Sequence, residues 1–354
     1  MKILLTNCWQ SGNTGDLAIW TNLLKHLRKA FPKAVFLIAS QQLLDWDLLQ
    51  LAPFETTTYL NNLEQAVKDA DIVISQGGGY MIGDGMYPFL KAFELAQDLG
   101  KPTFFSTQTI VGPFNNDTKE LLKKVIDRAI VVSPRDQGTY DLLKSIGVER
   151  ELKIVPDTVF DIGIREFGFD LKNTIKFAIR GYDVDTRFLK EIALLADMIS
   201  ETMGQVVFIP VGHGADRNDI YTAKEILGYM NHEAFLIDKE LTAEEIKSTL
   251  KDGILISDRY HGIVYAASMN TPFVALNPDI DSKMPGLLNL FDYPIPIYDK
   301  NTVTAEELFP EVLEVWNRRI KYRDIFKTIT PQIKKDSAKI YTQIIKGIQN
   351  ATAK

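Results

Sequence analysis

The feature that most constrains this chain is an alternation that runs nearly its whole length: short apolar runs followed by segments of helical periodicity. Such alternation builds βα units, and their crossovers give parallel sheets with helices on the faces. A first series predicts strands near Ile3–Thr6, Val35–Ala39, Ile72–Ser75, Thr103–Ser106, Ala129–Val132 and Lys153–Val155, with helices such as Leu17–Ala30, Met86–Leu99 and Asp136–Ser145 between them. A second series begins near Ile175. Its strands are Lys176–Ile179, Val206–Val211, Ala234–Ile237, Gly253–Ser257 and Phe273–Leu276, and its helices include Thr186–Thr202. Thr242-Ala243-Glu244-Glu245 and Thr304-Ala305-Glu306-Glu307 read as capping boxes, in which the Thr side chain accepts an orphan N–H and the second Glu reaches back.

A chain of 354 residues is long for one core and comfortable for two. The expected fold is α/β, with two Rossmann-like domains at 1–165 and 166–329 and a boundary in the irregular stretch Asp161–Asn173. Thr330 as N-cap and Pro331 at the first helical position then open a terminal helix, 330–354. Its Ile333, Ile340, Ile344 and Ile348 form a stripe that must dock, and the N-terminal domain is the expected surface. Two doubly wound domains in series put a ligand in the cleft between them, beyond the carboxyl ends of the strands.

Charge and cysteine content narrow the partners. Lys and Arg total 40 against 46 Asp and Glu, a net charge of −6. That balance argues against a nucleic-acid partner, because neutralising phosphates needs a basic face. Cys8 is the one cysteine, so no intrachain disulfide forms, which suits a reducing compartment. The opening residues read quickly into polar ones, unlike a signal peptide, and no run approaches a spanning helix. The expected location is the cytoplasm, with peripheral contact at the inner face of a membrane left open.

Chemistry is therefore sought in loops that follow strands. Ser11-Gly12-Asn13-Thr14-Gly15-Asp16 precedes a helix and lacks the Lys of a phosphate-binding P-loop; a plain turn with Asp16 as cap is its simplest reading. Gly77-Gly78-Gly79 spends backbone entropy without adding packing, which suggests close approach of a ligand, a flexible connection being the alternative. Arg135 leaves a buried strand beside Asp136, where an ion pair and a helix cap would explain both. Arg180-Gly181 ends the first strand of the second series and faces the expected cleft. His213 is flanked by glycines, fit to orient a ligand or shuttle a proton, or to do neither.

Ser257-Asp258-Arg259-Tyr260-His261-Gly262 is the sharpest of these loops. Arg offers a permanently charged planar fork of donors, and His, two residues on at a helix start, titrates near neutrality. Together they suit a small anion that must also gain or lose a proton. Lys283, after the next strand, would add a point charge. His26 and His232 lack metal-ligand spacing, so no metal site is expected.

Taken together, Gly12-Asn13-x-Gly15-Asp16, Gly77-Gly78-Gly79, Ser133-x-Arg135-Asp136, Pro156-Asp157, Arg180, and Arg259-x-His261-Gly262 followed by Thr271-Pro272 and Lys283 resemble the polysaccharide pyruvyl transferase family over about positions 1 to 290. The resemblance implies a GT-B-like fold and a transferase that moves the pyruvyl group of phosphoenolpyruvate onto two sugar hydroxyls, forming a cyclic ketal in cell-surface or exopolysaccharide synthesis. It implies no cofactor beyond phosphoenolpyruvate as co-substrate, and an acceptor that is a glycan or a lipid-linked sugar. Arg180, Arg259 and His261 are the donor-binding positions it implies, with Lys283 as an addition; His261 and Arg259 are the catalytic ones. Gly12, Asn13, Gly15, Asp16 and Gly77–Gly79 would hold the acceptor, and His213 and Arg135 are secondary candidates. Two other readings share the fold: a GT-B glycosyltransferase using a nucleotide sugar, and a non-catalytic glycan- or anion-binding protein.

Overall fold

The computed structural model describes residues 1–8, 13–40, 56–60, 62–166, 168–169, 171–182, 184–214, 218–277, 283–291, 293–294 and 296–353. The chain forms two compact units. The first comprises Met1–Gln10, Asp16–Thr158 and Lys335–Lys354, and the second Ser11–Gly15 and Val159–Lys334. The division thus falls at Thr158, ahead of the expected 165, and Asn13 with the first two residues of α1 groups with the second unit.

In the first unit, strands β1 (Lys2–Thr6), β2 (Val35–Ser40), β3 (Thr56–Leu60), β4 (Ile72–Ser75), β5 (Gly78–Ile82), β6 (Thr103–Val111) and β7 (Val131–Pro134) make one parallel sheet. Its order is β3-β2-β1-β4-β6-β5, with β7 also on β6. β4 pairs with Thr103–Phe105 of β6, and β5 continues along the same edge from Gln108 to Val111. Helices α1 (Thr14–Ala30), α2 (Leu63–Asp69), α3 (Tyr87–Asp98), α4 (Asn116–Arg128) and α5 (Gln137–Ser145) connect the strands. Alternate strand residues feed two cores, as a sheet covered on both faces requires. Leu4, Leu37, Val73 and Phe105 join α2, α3 and α4 on one side, while Ile3, Leu5, Ile38, Ile74 and Phe104 join Trp20, Leu24 and Leu27 of α1 on the other.

The second unit is also parallel throughout. Its strands are β8 (Ile175–Ala178), β9 (Val206–Phe208), β10 (Phe235–Leu236), β11 (Ile254–Ser257), β12 (Phe273–Asn277) and β13 (Ile297–Asp299), in the order β10-β9-β8-β11-β12-β13. Counted within the unit this is 3-2-1-4-5-6, the Rossmann order, which reverses between β8 and β11. Its helices are α6 (Thr186–Thr202), α7 (Asp219–Tyr229), α8 (Ala243–Thr249), α9 (Tyr260–Ser268), α10 (Lys283–Asn289), α11 (Ala305–Asn317) and α12 (Arg319–Thr352). Phe273, Tyr293, Tyr322 and Phe326 pack ring on ring beside the sheet. Both capping boxes form, at Thr242–Glu245 and Thr304–Glu307.

Three expectations need correction. Lys153–Val155 is not a strand; Val155 donates to Pro134 O at 2.9 Å, and Pro156, which has no N–H, follows at once. Thr330 and Pro331 do not start a helix, because α12 runs through both. The Thr330 hydroxyl donates to Ala267 O at 3.1 Å instead of capping. The strands β3, β5 and β13 carried no sequence signal strong enough to be read: β3 is a threonine run, β5 opens on glycines and β13 is three residues long. Beyond Lys334, the Ile340, Tyr341, Ile344 and Ile348 stripe of α12 packs into the first unit's core with Ile3, Leu5 and Trp20. Gly347 lies so near the Phe104 ring that a Cβ there would come within 2.6 Å of it. No described helix is long and apolar enough to cross a membrane.

Candidate functional site

In an open α/β sheet, ligands gather beyond the carboxyl ends of the strands where strand order reverses. In the second unit that place is marked by the loops after β8 and β11, which carry Arg180-Gly181-Tyr182 and Asp258-Arg259. Ser257 sets the second loop: its hydroxyl donates to Ala178 O at 2.7 Å and accepts the Arg259 N–H at 3.0 Å. Gly262 lets α9 start immediately, since a Cβ there would stand 2.7 Å from Ser257 Oγ. Ala266, Ala267 and Ser268, all buried, then seat α9 closely.

Arg259 is 5% exposed and bonded two-pronged to Asp219, the first residue of α7. Its Nε donates to Oδ2 at 3.0 Å and its Nη2 to Oδ1. Burial works against the guanidinium charge, but the Asp219 carboxylate outweighs it and holds Arg259 above its ordinary range. The same carboxylate accepts the backbone N–H groups of Gly181 (2.8 Å), Val211 (3.0 Å) and Gly212 (2.7 Å). One side chain therefore ties together the loops after β8, β9 and β11. Gly181 must be glycine, because a Cβ would lie 2.5 Å from Asn218 O.

Arg180 is 4% exposed. Its guanidinium carbon stands 4.8 Å from the centre of the Tyr182 ring and that of Arg259 stands 5.2 Å from it, so one aromatic ring serves two cations. The Arg180 N–H donates to Asp258 Oδ1 at 2.8 Å, while its Nε lies 3.5 Å from Oδ2. Burial pushes the Asp258 carboxyl up to about 6, against the pull of Arg259 and Arg180 and with the push of Asp219.

His261 is 4% exposed at the head of α9. Asn13 Oδ1 accepts the Gly15 N–H at 3.0 Å, which fixes it as the oxygen, and it lies 3.0 Å from His261 Nδ1. Nδ1 must then carry the hydrogen in the neutral ring. Gly15 lies against the ring, and a Cβ there would overlap it. Thr14 anchors this segment: its N–H and hydroxyl donate to Val211 O at 3.1 and 2.9 Å, and the hydroxyl stands 3.0 Å from Tyr265 Oη.

The other expected residues are dispersed. Asn13 and Gly15, expected on the acceptor side, position His261. Gly12 lies outside the described residues. His213 Nε2 stands 3.1 Å from Leu241 O, a carbonyl that requires the hydrogen on that nitrogen. Lys283, part-exposed, opens α10 after β12, the strand next to β11. Arg135 belongs to the first unit, where it donates to Asp157 at 2.7 Å and to Thr109 at 2.8 Å, both partners buried, while Asp136 caps α5. The ion pair and the helix cap both form.

Gly77 and Gly78 sit at the first unit's own reversal, between β1 and β4, with Gly79 next in line. Thr107 Oγ1 would be 2.6 Å from a Gly77 Cβ, Gly78 has φ +137°, and Asp16 lies beside Gly78. Around them, Gln108 Nε2 donates to Ser75 (2.8 Å), Tyr80 (3.0 Å) and Gln76 O, and Gln76 Nε2 donates to Asn7 O at 2.7 Å.

Sequence reasoning missed Asp219, Asp258, Tyr182 and Thr14. Asp258 adjoins Arg259 in sequence but bonds Arg180. Asp219 looked like one more acid at a helix start.

A family model described as polysaccharide pyruvyl transferase matches residues 13–280. No curated protein sequence matches the chain. Among solved structures, MnaA of S. aureus with UDP has a TM-score of 0.66 at 14% identity, covering 93% of this chain and 92% of that one. UDP-GlcNAc 2-epimerase from Neisseria meningitidis, bound to UDP-GlcNAc, has 0.65 at 12%, covering 99% and 100%. MurG of Acinetobacter baumannii has 0.53 at 13%, covering 99% of each. At these identities the likeness is one of fold, two Rossmann-like units of the GT-B kind.

Proposed function

The chain belongs to the polysaccharide pyruvyl transferase family, and from that premise we propose that it transfers the pyruvyl group of phosphoenolpyruvate to two hydroxyls of a sugar, forming a cyclic ketal in surface or exopolysaccharide synthesis. The observation that carries the reading is the pair Arg180 and Arg259 on the Tyr182 ring, with His261 at the adjoining helix start. Phosphoenolpyruvate carries a carboxylate and a phosphate, so two guanidinium groups fit it, and charge-assisted bonds to them are the strong kind. Lys283 is proposed as a further contact to the donor.

The reaction needs a proton on the methylene carbon, which leaves a cation-like carbon open to attack. In this reading His261, as imidazolium, delivers that proton from Nε2. One acceptor hydroxyl adds to the carbon, phosphate departs with its oxygen toward Arg259, and the second hydroxyl closes the ring. One hydroxyl proton restores the His261 imidazolium and the other leaves on the released phosphate, so the step balances. Asp219 holds the Nε–Nη2 side of Arg259 and so fixes the plane of the guanidinium proposed to meet the phosphate. The acceptor is a glycan or lipid-linked sugar, and Asp16 with Gly77–Gly79 are proposed to contact it.

Use of a nucleotide sugar is the second reading, favoured only by the fold shared with the UDP-bound structures. Thermal shift separates the two. Phosphoenolpyruvate should raise the unfolding temperature and UDP-sugars should not; stabilisation by UDP-sugars alone would reverse the assignment.

A further inference from the structure

Two Arg–Asp couples stand at the reversal of the second unit's sheet, and they are built differently. Asp219 accepts five hydrogen bonds, two from Arg259 and one each from the N–H groups of Gly181, Val211 and Gly212. Asp258 accepts one, from the Arg180 N–H, and among the described residues its Oδ2 accepts none. Both aspartates are 2% exposed.

The formal charges of the two guanidinium groups and two carboxylates cancel. Phosphoenolpyruvate arriving above neutral pH adds a carboxylate and a phosphate that is close to doubly charged. A buried site tolerates uncompensated charge poorly, and the nearest relief is a proton on one of its own carboxylates. Protonating Asp219 would weaken the bonds that fix three loops. Protonating Asp258 gives up only the longer 3.5 Å ion pair to Arg180 Nε, leaves Oδ1 able to accept the Arg180 N–H, and gives Oδ2 a hydrogen to donate.

We infer that Asp258 takes up a proton when the donor anion binds, so that the site is loaded with the anion and a proton together. The inference rests on the donor-site reading above and extends it to a residue that reading does not use. The charged groups acting on Asp258 are Arg180 after β8, Asp219 at the head of α7 and Arg259 on its own loop. His261, at the head of α9, is the competing acceptor for the proton. Burial already holds the Asp258 carboxyl at about 6, so the arriving charge has a short distance to lift it.

Calorimetric titration with phosphoenolpyruvate, and separately with inorganic phosphate, in buffers of different ionisation enthalpy counts the protons taken up. The wild type should take up close to one proton per anion at pH 7.5, and its affinity should weaken several-fold per pH unit from 7 to 8.5, at most about tenfold. Asp258→Asn keeps an oxygen for the Arg180 N–H; it should take up none, bind more tightly than the wild type at pH 8 and lose the pH dependence. His261→Gln should keep the uptake. Binding by the wild type without uptake, uptake that survives in Asp258→Asn, or uptake lost in His261→Gln would each overturn the inference while leaving the donor site standing. Failure of both anions to bind the wild type removes the donor-site reading and this inference with it. Should Asp258→Asn not fold, the wild-type and His261→Gln titrations decide.

Discussion

Gly15 lies flat against the imidazole of His261, so close that a methyl group in its place would occupy the ring's own volume. A bond of 3.0 Å between Nδ1 and Asn13 holds the ring. A glycine that read as a turn or a contact for sugar is thus what makes room for the proposed acid.

Gly15→Ala should therefore displace His261 while leaving the helix intact, alanine being the better helix former. Turnover should fall roughly 100-fold or more, the usual worth of a positioned acid, while phosphoenolpyruvate affinity drops far less. Steady-state kinetics beside calorimetric binding reads this out. Turnover near the wild-type value would show that the His261 position is not critical.

Asp219→Ala leaves Arg259 buried without its bidentate partner and three backbone N–H groups without their acceptor. A loss of about 3–5 kcal/mol is expected from breaking a buried pair, measured by urea unfolding. Arg135→Ala should be costly for the same reason, through Asp157. Yet it should leave phosphate binding unchanged wherever the variant is folded. Loss of binding in folded Arg135→Ala would instead give that residue a part in the donor site.

Two fully buried lysines predict a pH dependence. Burial lowers Lys176 and Lys247 to about 7 each, whereas an unfolded chain keeps lysine near 10.4. Above pH 7 the unfolded chain binds more protons, so stability contributed by these groups rises with pH. Lys176 donates to the carbonyls of Leu171 (3.1 Å), Thr174 (3.4 Å) and Asp252. Between pH 7 and 8.5, wild-type stability should gain on Lys176→Met by up to about 1.4 kcal/mol per pH unit. Parallel curves for the two proteins would contradict it.

Asp258 works in the opposite sense. Its carboxyl is raised from 3.8 to about 6, so between those values the folded state binds the extra proton and stability falls as pH rises. At pH 7.5 the buried charge is a liability of about 2–3 kcal/mol. Asp258→Asn should raise the unfolding temperature there and change little at pH 4. A lower unfolding temperature at pH 7.5 would mean that Asp258 stabilises as a carboxylate.

Much of the architecture was legible because period and caps are local. The β8 and β11 runs, the exact span of α6 and both capping boxes can be read from neighbouring residues. The Arg180, Arg259 and His261 positions followed from strand ends. What was hidden is whatever distant residues decide. Pro331 reads as a helix start, yet the packing on either side carries α12 through it. Asn13 and Gly15 serve a histidine about 250 residues away, and Asp219 reaches Arg259 across 40 positions. A short threonine run such as β3 has no pattern of its own and becomes a strand by pairing with β2.

Pyruvyl transfer from phosphoenolpyruvate, with Arg259 essential to it, is tested most directly by its products. Purified protein should be incubated with phosphoenolpyruvate and a panel of glycan and lipid-linked sugar acceptors, with phosphate release and product mass followed together. Phosphate release should depend on the acceptor and come with a product heavier by one pyruvylidene group, and Arg259→Ala should give neither. Phosphoenolpyruvate left intact across a panel on which a UDP-sugar is consumed would contradict it.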